Sequence, residues 1–250
     1  MTALLEVTDL SIQFGGLRAV SEVDFSLAEG EILGLIGPNG AGKSTIFNLI
    51  NGVLPPSSGR ILFGGVDITG WAPYRVVRHG LARTHQIVRP LNDMSVLENC
   101  VVGGCFGRDN LTLAAARHKA AAVIEEVGLG EHRAVLARHL TIAHKKRLEI
   151  ARALCANPRL LLLDEVLAGL NPTEVARMIE VLKAIRRQGV AILMIEHLMQ
   201  AIMSLSDRVM VLNFGRKLAE GTPAAVVNDP AVIEAYLGTP DAAHKLAGEG

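Results

Sequence analysis

Apolar and polar side chains alternate through SEVDFSL (residues 21–27), the period-two pattern of a half-buried antiparallel strand. Around it, LLEVTDLSIQF, AVSEVDFSLAEG and EILGLIG predict short strands over about the first 35 residues. GRILFGGVDIT (59–69) predicts a hairpin turning at Gly64-Gly65. From about residue 72 to 156 the pattern changes to helices rich in Ala and Arg, among them LTLAAARHKAAAVIEEVG, which Gly128 ends. Then come the apolar run LLLLDE (160–165), a helix beginning at Pro172, the strand VAILMIE (190–196), a further helix and the strand RVMVLNFG (208–215). Strand–helix alternation on this scale predicts a parallel sheet with crossover helices. Beyond it, Thr222-Pro223 reads as an N-cap and first-turn pair opening C-terminal helices.

Composition narrows the function classes. The chain has 250 residues, half of them hydrophobic, with few aromatics and 25 glycines, as expected of a compact α/β enzyme. Lys+Arg and Asp+Glu both number 25, so the net charge is zero, which argues against a dedicated nucleic-acid-binding domain. Cys100, Cys105 and Cys155 are odd in number and form no CxxC, so reduced thiols in a cytosolic chain are expected. The opening MTALLEVTDL brings in Glu6 and Asp9 early and does not read as a signal peptide. VAILMI (190–195), among the longest apolar runs, is far short of a membrane span, so work at a membrane is expected to go through partners.

The chemistry begins at GPNGAGKST (37–45), which satisfies G-x-x-x-x-G-K-[ST] between an apolar strand and a helix, STIFNLIN. Glycines there let successive backbone N–H groups wrap phosphate oxygens, and the helix N-terminus adds a favourable dipole. Lys43 is placed to reach the β- and γ-phosphates, and Ser44 to ligate Mg²⁺. The run LLLLDE delivers Asp164 and Glu165 at the C-terminal end of a buried strand, where open α/β sheets bind ligands. Asp164 suits a Mg²⁺ ion held through water, and Glu165 can polarise the water that attacks the γ-phosphate. His197 follows the next strand; by itself a histidine at a strand end is more often structural. Gln86, in ARTHQIVRP, could reach Mg²⁺ or the attacking water, but its spacing alone does not separate it from a surface glutamine.

In order along the chain, GPNGAGKST, Gln86, an altered segment at 140–144, LLLLDE, AGLNP (168–172) and His197 resemble the ATP-binding subunit of an ABC transporter. FGGLRAV, ARTHQIVRPLNDMSVLEN and IEHLMQAIMSLSDRVMVLNFGRKLAEGTP followed by NDPAVIEAYLG are similar to the branched-chain amino-acid importer ATPases. The resemblance implies a P-loop NTPase (RecA-like) core with a mainly parallel sheet, an N-terminal antiparallel β subdomain at about 4–30 and 59–70, and a helical subdomain inserted at about 88–156. One such domain would occupy residues 1–240, with a tail at 241–250. It implies roles for residues too. Phe14 would stack on adenine, and Gly37, Pro38, Asn39, Gly40, Ala41, Gly42, Lys43, Ser44 and Thr45 would hold the phosphates. Gln86, Glu165 and His197 would serve hydrolysis, and Ser44, Gln86 and Asp164 would serve Mg²⁺. The family buries two ATPs in a head-to-tail dimer, each between one chain's phosphate loop and the other's signature helix. The implied assembly holds a second ATPase subunit, two transmembrane permease subunits and a periplasmic or extracellular solute-binding protein, and no nucleic acid. This chain would be peripheral, on the cytoplasmic face of the inner membrane.

Where the family signature reads LSGGQ, this chain has Leu140, Thr141, Ile142, Ala143 and His144. Thr141 keeps a hydroxyl and a good N-cap, but both glycines are gone, and the β-branched Ile142 has less backbone freedom. Val166 stands for the usual Pro, Asn171 for a loop Asp, and His85 where the subgroup favours Phe. An intact half-site beside an altered signature is the reason to expect pairing with a different ATPase subunit. In the helix that follows, Leu148, Ala151 and Leu154–Cys155 are expected to pack inward, with Lys145, Lys146, Glu149 and Arg152 on a mostly solvated face. Two other readings stand beside transport. A soluble ABC ATPase acting on nucleic acid or ribosomes usually carries two cassettes or long insertions. For a different P-loop protein, a kinase or GTPase, the sequence lacks NKxD, and Glu165 followed by His197 favours hydrolysis.

Overall fold

A computed structural model describes residues 3–237; the expected tail at 241–250 lies outside them. The chain forms two compact units, Met1–Ala72 with Ala191–Gly250, and Pro73–Val190.

The first unit opens with β1 (Ala3–Phe14) and β2 (Leu17–Ala28), followed by β3 (Ile32–Ile36), α1 (Lys43–Ile50), β4 (Ser58–Phe63) and β5 (Val66–Asp67). As the alternation predicts, Val23, Phe25 and Leu27 are buried along β2 while Glu22, Asp24 and Ser26 face out. Strands β2-β1-β4-β5 make an antiparallel sheet, with Phe63 opposite Val66 across the Gly64-Gly65 turn.

The second unit holds α2 (Pro73–Arg78), β6 (Leu81–Arg83), α3 (Val96–Phe106), α4 (Leu113–Glu126), α5 (Ile142–Cys155), β7 (Leu160–Asp164) and α6 (Pro172–Arg187). Each long helix is started by a short polar side chain, which satisfies an amide that the helix leaves open. Ser95 and Asn171 form capping boxes with Glu98 and Glu174, and Thr112 and Thr141 cap α4 and α5. Strands β6 and β7 pair in parallel, Arg83 opposite Leu162. All five residues of β7 are buried. The three thiols are free, and hydrogen bonding to Cys155 together with burial pushes the Cys100 thiol up.

The chain then returns to the first unit with β8 (Ala191–Ile195), α7 (Met199–Leu205), β9 (Arg208–Asn213), β10 (Arg216–Gly221), α8 (Pro223–Val227) and α9 (Pro230–Leu237). Thr222 caps α8 with Pro223 at its first position, as the dipeptide predicts. Strand β3 lies between β8 and β9 and is parallel to both, with β10 antiparallel on the far side of β9. Strands β3 and β8 are buried at every residue, which explains their unbroken apolar runs. At one end of this sheet, Arg208 pairs with Glu31 at 2.7 Å and with Glu220, joining β9 to β10 and to the turn before β3.

Candidate active site

In the first unit the phosphate loop leaves β3 immediately before α1, and His197 follows β8. Because β3 and β8 run parallel with Leu35 opposite Ile195, the two features leave the same edge of the sheet. Two glycines are obligatory here. Gly37 has φ 147°, and a Cβ there would lie 2.1 Å from the Leu212 carbonyl oxygen; Gly42 has φ 102°, and its Cβ would meet the Ala19 carbonyl oxygen at 2.7 Å. Behind the loop, Gly215 N–H donates to the Ala41 carbonyl at 3.0 Å, and Ser21 N–H to the Gly215 carbonyl at 2.8 Å. Gly42 supplies no side-chain cap to α1, so the helix N-terminus keeps backbone donors that an anion can take.

Lys43 is buried, and its Nζ donates to the carbonyls of Gly37 (2.7 Å) and Pro38 (2.8 Å). The ammonium thus sits inside the curl of its own loop, and Ser44 on the first turn of α1 is exposed. Phe14 ends β1 with its ring exposed, open to stacking. His197 is exposed as well. One residue not anticipated from sequence touches this loop: the Tyr236 hydroxyl on α9 is hydrogen-bonded to the Gly37 backbone, and burial pushes its pKa up to about 12. Its only signal in the sequence is a tyrosine in a C-terminal helix.

The second unit gathers the remaining residues. Gln86 follows β6 and Glu165 follows β7, again on one edge of a parallel pair, and Gln86 Nε2 donates to Glu165 Oε2 at 2.7 Å. Glu165 has φ 51°, a left-handed conformation that costs a residue with a side chain about 1–3 kcal/mol and needs outside support. Asp164 is buried, and its Oδ2 accepts from Arg83 at 2.9 Å. Its Oδ1 is buried with no hydrogen-bond partner among the described residues. A carboxylate with one oxygen paired to Arg83 and the other orphaned fits a hydrated Mg²⁺, so the donor set agrees with that ion.

At the altered signature, the Thr141 hydroxyl accepts from His144 N–H at 3.3 Å and starts α5 as expected. Ile142 is exposed, Ala143 is buried, and the His144 ring lies 4.2 Å from the His132 ring, centroid to centroid. Burial, His132 and Arg147 hold His144 below the ordinary histidine range. Burial and the Arg83 guanidinium do the same for His85.

Further along α5, Leu148, Ala151, Leu154 and Cys155 are buried as predicted, but the expected solvated face is not what forms. Lys146 and Glu149 are buried, 7% and 3% exposed. Both charges take their hydrogen bonds from loop backbone, a kind of partner that the spacing of charges along a helix cannot reveal, while the i,i+3 pair that spacing does suggest, Arg152 with Glu149, is longer at 3.6 Å.

The family profile for ABC transporters matches residues 20–168, a span that takes in the phosphate loop, Gln86, the altered signature and the Asp164-Glu165 pair. The chain belongs to the ABC transporter ATP-binding family. This ABC ATPase also matches, at residues 216–242, the profile described as branched-chain amino acid ATP-binding cassette transporter. It is 41% identical over 249 residues to the high-affinity branched-chain amino acid transport ATP-binding protein LivG of Salmonella typhimurium, covering 94% of this chain and 98% of the relative. With LivG of Escherichia coli K12 the figures are the same, and with BraF of Pseudomonas aeruginosa the identity is 39%. Among solved structures it is similar to a nucleotide-free ATP-binding cassette from an ABC transporter (TM-score 0.86, 29% identity, 95% of this chain and 100% of that one). It is equally similar to the ADP conformation of such a cassette (TM-score 0.86, 30% identity, 96% and 100%). The fold is therefore that of a P-loop NTPase, and the protein is an ATPase.

Proposed function

We propose that this ABC ATPase binds and hydrolyses MgATP to power an importer of branched-chain amino acids or closely related small solutes. The observation that carries the solute class is the C-terminal segment, residues 216–242, whose profile match coincides with near-full-length identity to LivG and BraF. No helix among the described residues is long and apolar enough to cross a membrane. Two permease subunits and a periplasmic or extracellular solute-binding protein are the partners that would complete the machine, with this chain peripheral on the cytoplasmic face.

Roles follow from the chemistry of each side chain. Phe14 offers a π face to adenine, and residues Gly37 to Thr45 offer backbone donors to the phosphates. Lys43 would exchange its bonds to the Gly37 and Pro38 carbonyls for the β/γ-phosphates. Glu165 accepts the proton of the attacking water, with Gln86 holding its carboxylate and His197 assisting at the γ-phosphate. Bound Mg²⁺ supplies charge neutralisation at the phosphates, and Ser44, Gln86 and Asp164 are the residues that would hold it.

The altered turn Thr141–His144 supports a heteromer, in which this chain's phosphate loop and Glu165 are completed by another subunit's signature. A soluble ABC protein acting on nucleic acid or ribosomes finds no support, since the relatives similar over nearly the whole chain are transport proteins. The test is to co-purify the chain with its membrane subunits and solute-binding protein, and to identify what that protein binds. Leucine, isoleucine or valine is the expected ligand. Recovery of no membrane protein would overturn the transporter assignment.

A further inference from the structure

Two buried charges on α5 have no role in the scheme above. Lys146 Nζ donates to the main-chain carbonyls of Glu165 (2.9 Å) and Ala168 (2.6 Å). One turn further along the same helix, the Glu149 carboxylate accepts from the main-chain N–H of Arg89 (2.7 Å) and of His85 (3.4 Å). The ammonium therefore holds the loop after β7, and the carboxylate holds the loop after β6 on both sides of Gln86. Those are the loops whose side chains meet in the Gln86–Glu165 hydrogen bond.

Helix stability does not account for the arrangement. Lys146 and Glu149 both lie inside α5, beyond its first turn and before its last, where the helix dipole has little hold on a charge. Burying each charge costs free energy that only good partners offset. Here the hydrogen-bond partners are backbone groups of two irregular loops; within the helix Glu149 has in addition a longer ion pair with Arg152 (3.6 Å). Glu165 itself is held at φ 51°, and its carbonyl is one of the two groups that Lys146 grips. Losing that grip removes one of the contacts that hold Glu165 at positive φ, beside the Ala168 N–H on the same carbonyl and the Gln86 bond to its carboxylate.

We infer that Lys146 and Glu149 are positioning residues for hydrolysis: together they fix the backbone that aims Glu165 and Gln86. The inference rests on the assignment of Glu165 and Gln86 to hydrolysis, and it adds residues that touch neither nucleotide nor water. A misplacement of about 1 Å at a reacting group can cost on the order of 100-fold in rate. The device should therefore show in kcat, not in ATP affinity.

The experiment measures steady-state ATP hydrolysis by the assembled transporter carrying Lys146→Met, Lys146→Arg, Glu149→Gln or Glu165→Gln. Binding of a fluorescent ATP analogue and the thermal unfolding midpoint are measured on the same preparations. Lys146→Met should lower kcat at least tenfold with KM and analogue affinity changed by less than twofold. Lys146→Arg, which can still donate to both carbonyls, should recover part of that loss. Glu149→Gln should fall in between, since it keeps one acceptor oxygen. If Lys146→Met does not fold, the Lys146→Arg and Glu149→Gln pair carries the same kcat-against-KM comparison. Loss of turnover in Glu165→Gln beside unchanged kcat in folded Lys146 and Glu149 variants would overturn the inference and leave the site assignment standing. Undiminished turnover in Glu165→Gln would overturn both.

Discussion

Lys43 is the residue where the structure makes the sharpest statement about nucleotide binding. Its ammonium is buried against two carbonyls of its own loop, so the cation is already desolvated at the place where phosphate charge would arrive. Lys43→Ala should weaken binding of a fluorescent ATP analogue at least tenfold, because it removes the cation proposed to face the β/γ-phosphates. Glu165→Gln should do the opposite. Analogue binding stays within about twofold while turnover falls at least 100-fold, read as phosphate release under saturating ATP. Both residues were legible in the sequence, because a phosphate loop and a strand ending in two acids are set by local spacing. Lys146 and Glu149 were not. A charge on a helix surface looks the same in sequence whether water or a loop backbone faces it, and the spacing of α5 suggested solvent. Arg83 and Tyr236 escaped for the same reason, since their partners, Asp164 and the Gly37 backbone, lie far away along the chain.

At the scale of elements, α5 shows what the altered signature keeps. Thr141 caps the helix through its hydroxyl, so the local start of the signature helix survives the loss of both glycines. Thr141→Val removes that acceptor with little change in volume and should cost about 1 kcal/mol of stability, read from urea unfolding. Thr141→Ser should recover most of it. The cap on α8 was equally readable, because a capping residue and its helix are neighbours in sequence. Strands β6 and β10 were harder. The first has three residues inside an Arg-rich stretch, and the second, RKLAEG, is held to β9 by backbone pairing while its side chains stay largely exposed. Neither carries the apolar run or the clean alternation that announces a strand.

For the whole molecule, two histidines set a dependence on pH. His85 and His144 are both held below the ordinary histidine range by partial burial and neighbouring cationic groups. A base with a depressed folded pKa contributes stability that is fully present above its unfolded value, near 6.5, and is lost as pH falls below it. The unfolding midpoint should accordingly drop between about pH 7 and pH 5.5. The double variant His85→Phe with His144→Gln should flatten that drop, measured by thermal scans across the range. At this scale the fold was legible almost in full, because motif order and strand–helix alternation run the length of the chain. The solute was legible only through family likeness, since the residues proposed for the site would contact nucleotide and not cargo. Reconstitution tests the transport role. This chain is placed in proteoliposomes with the second ATPase subunit, permease subunits and solute-binding protein proposed to accompany it, and uptake of labelled leucine is followed with and without ATP. ATP-dependent uptake that collapses when this chain carries Glu165→Gln is the expected result. Uptake indifferent to that substitution would contradict the proposed function.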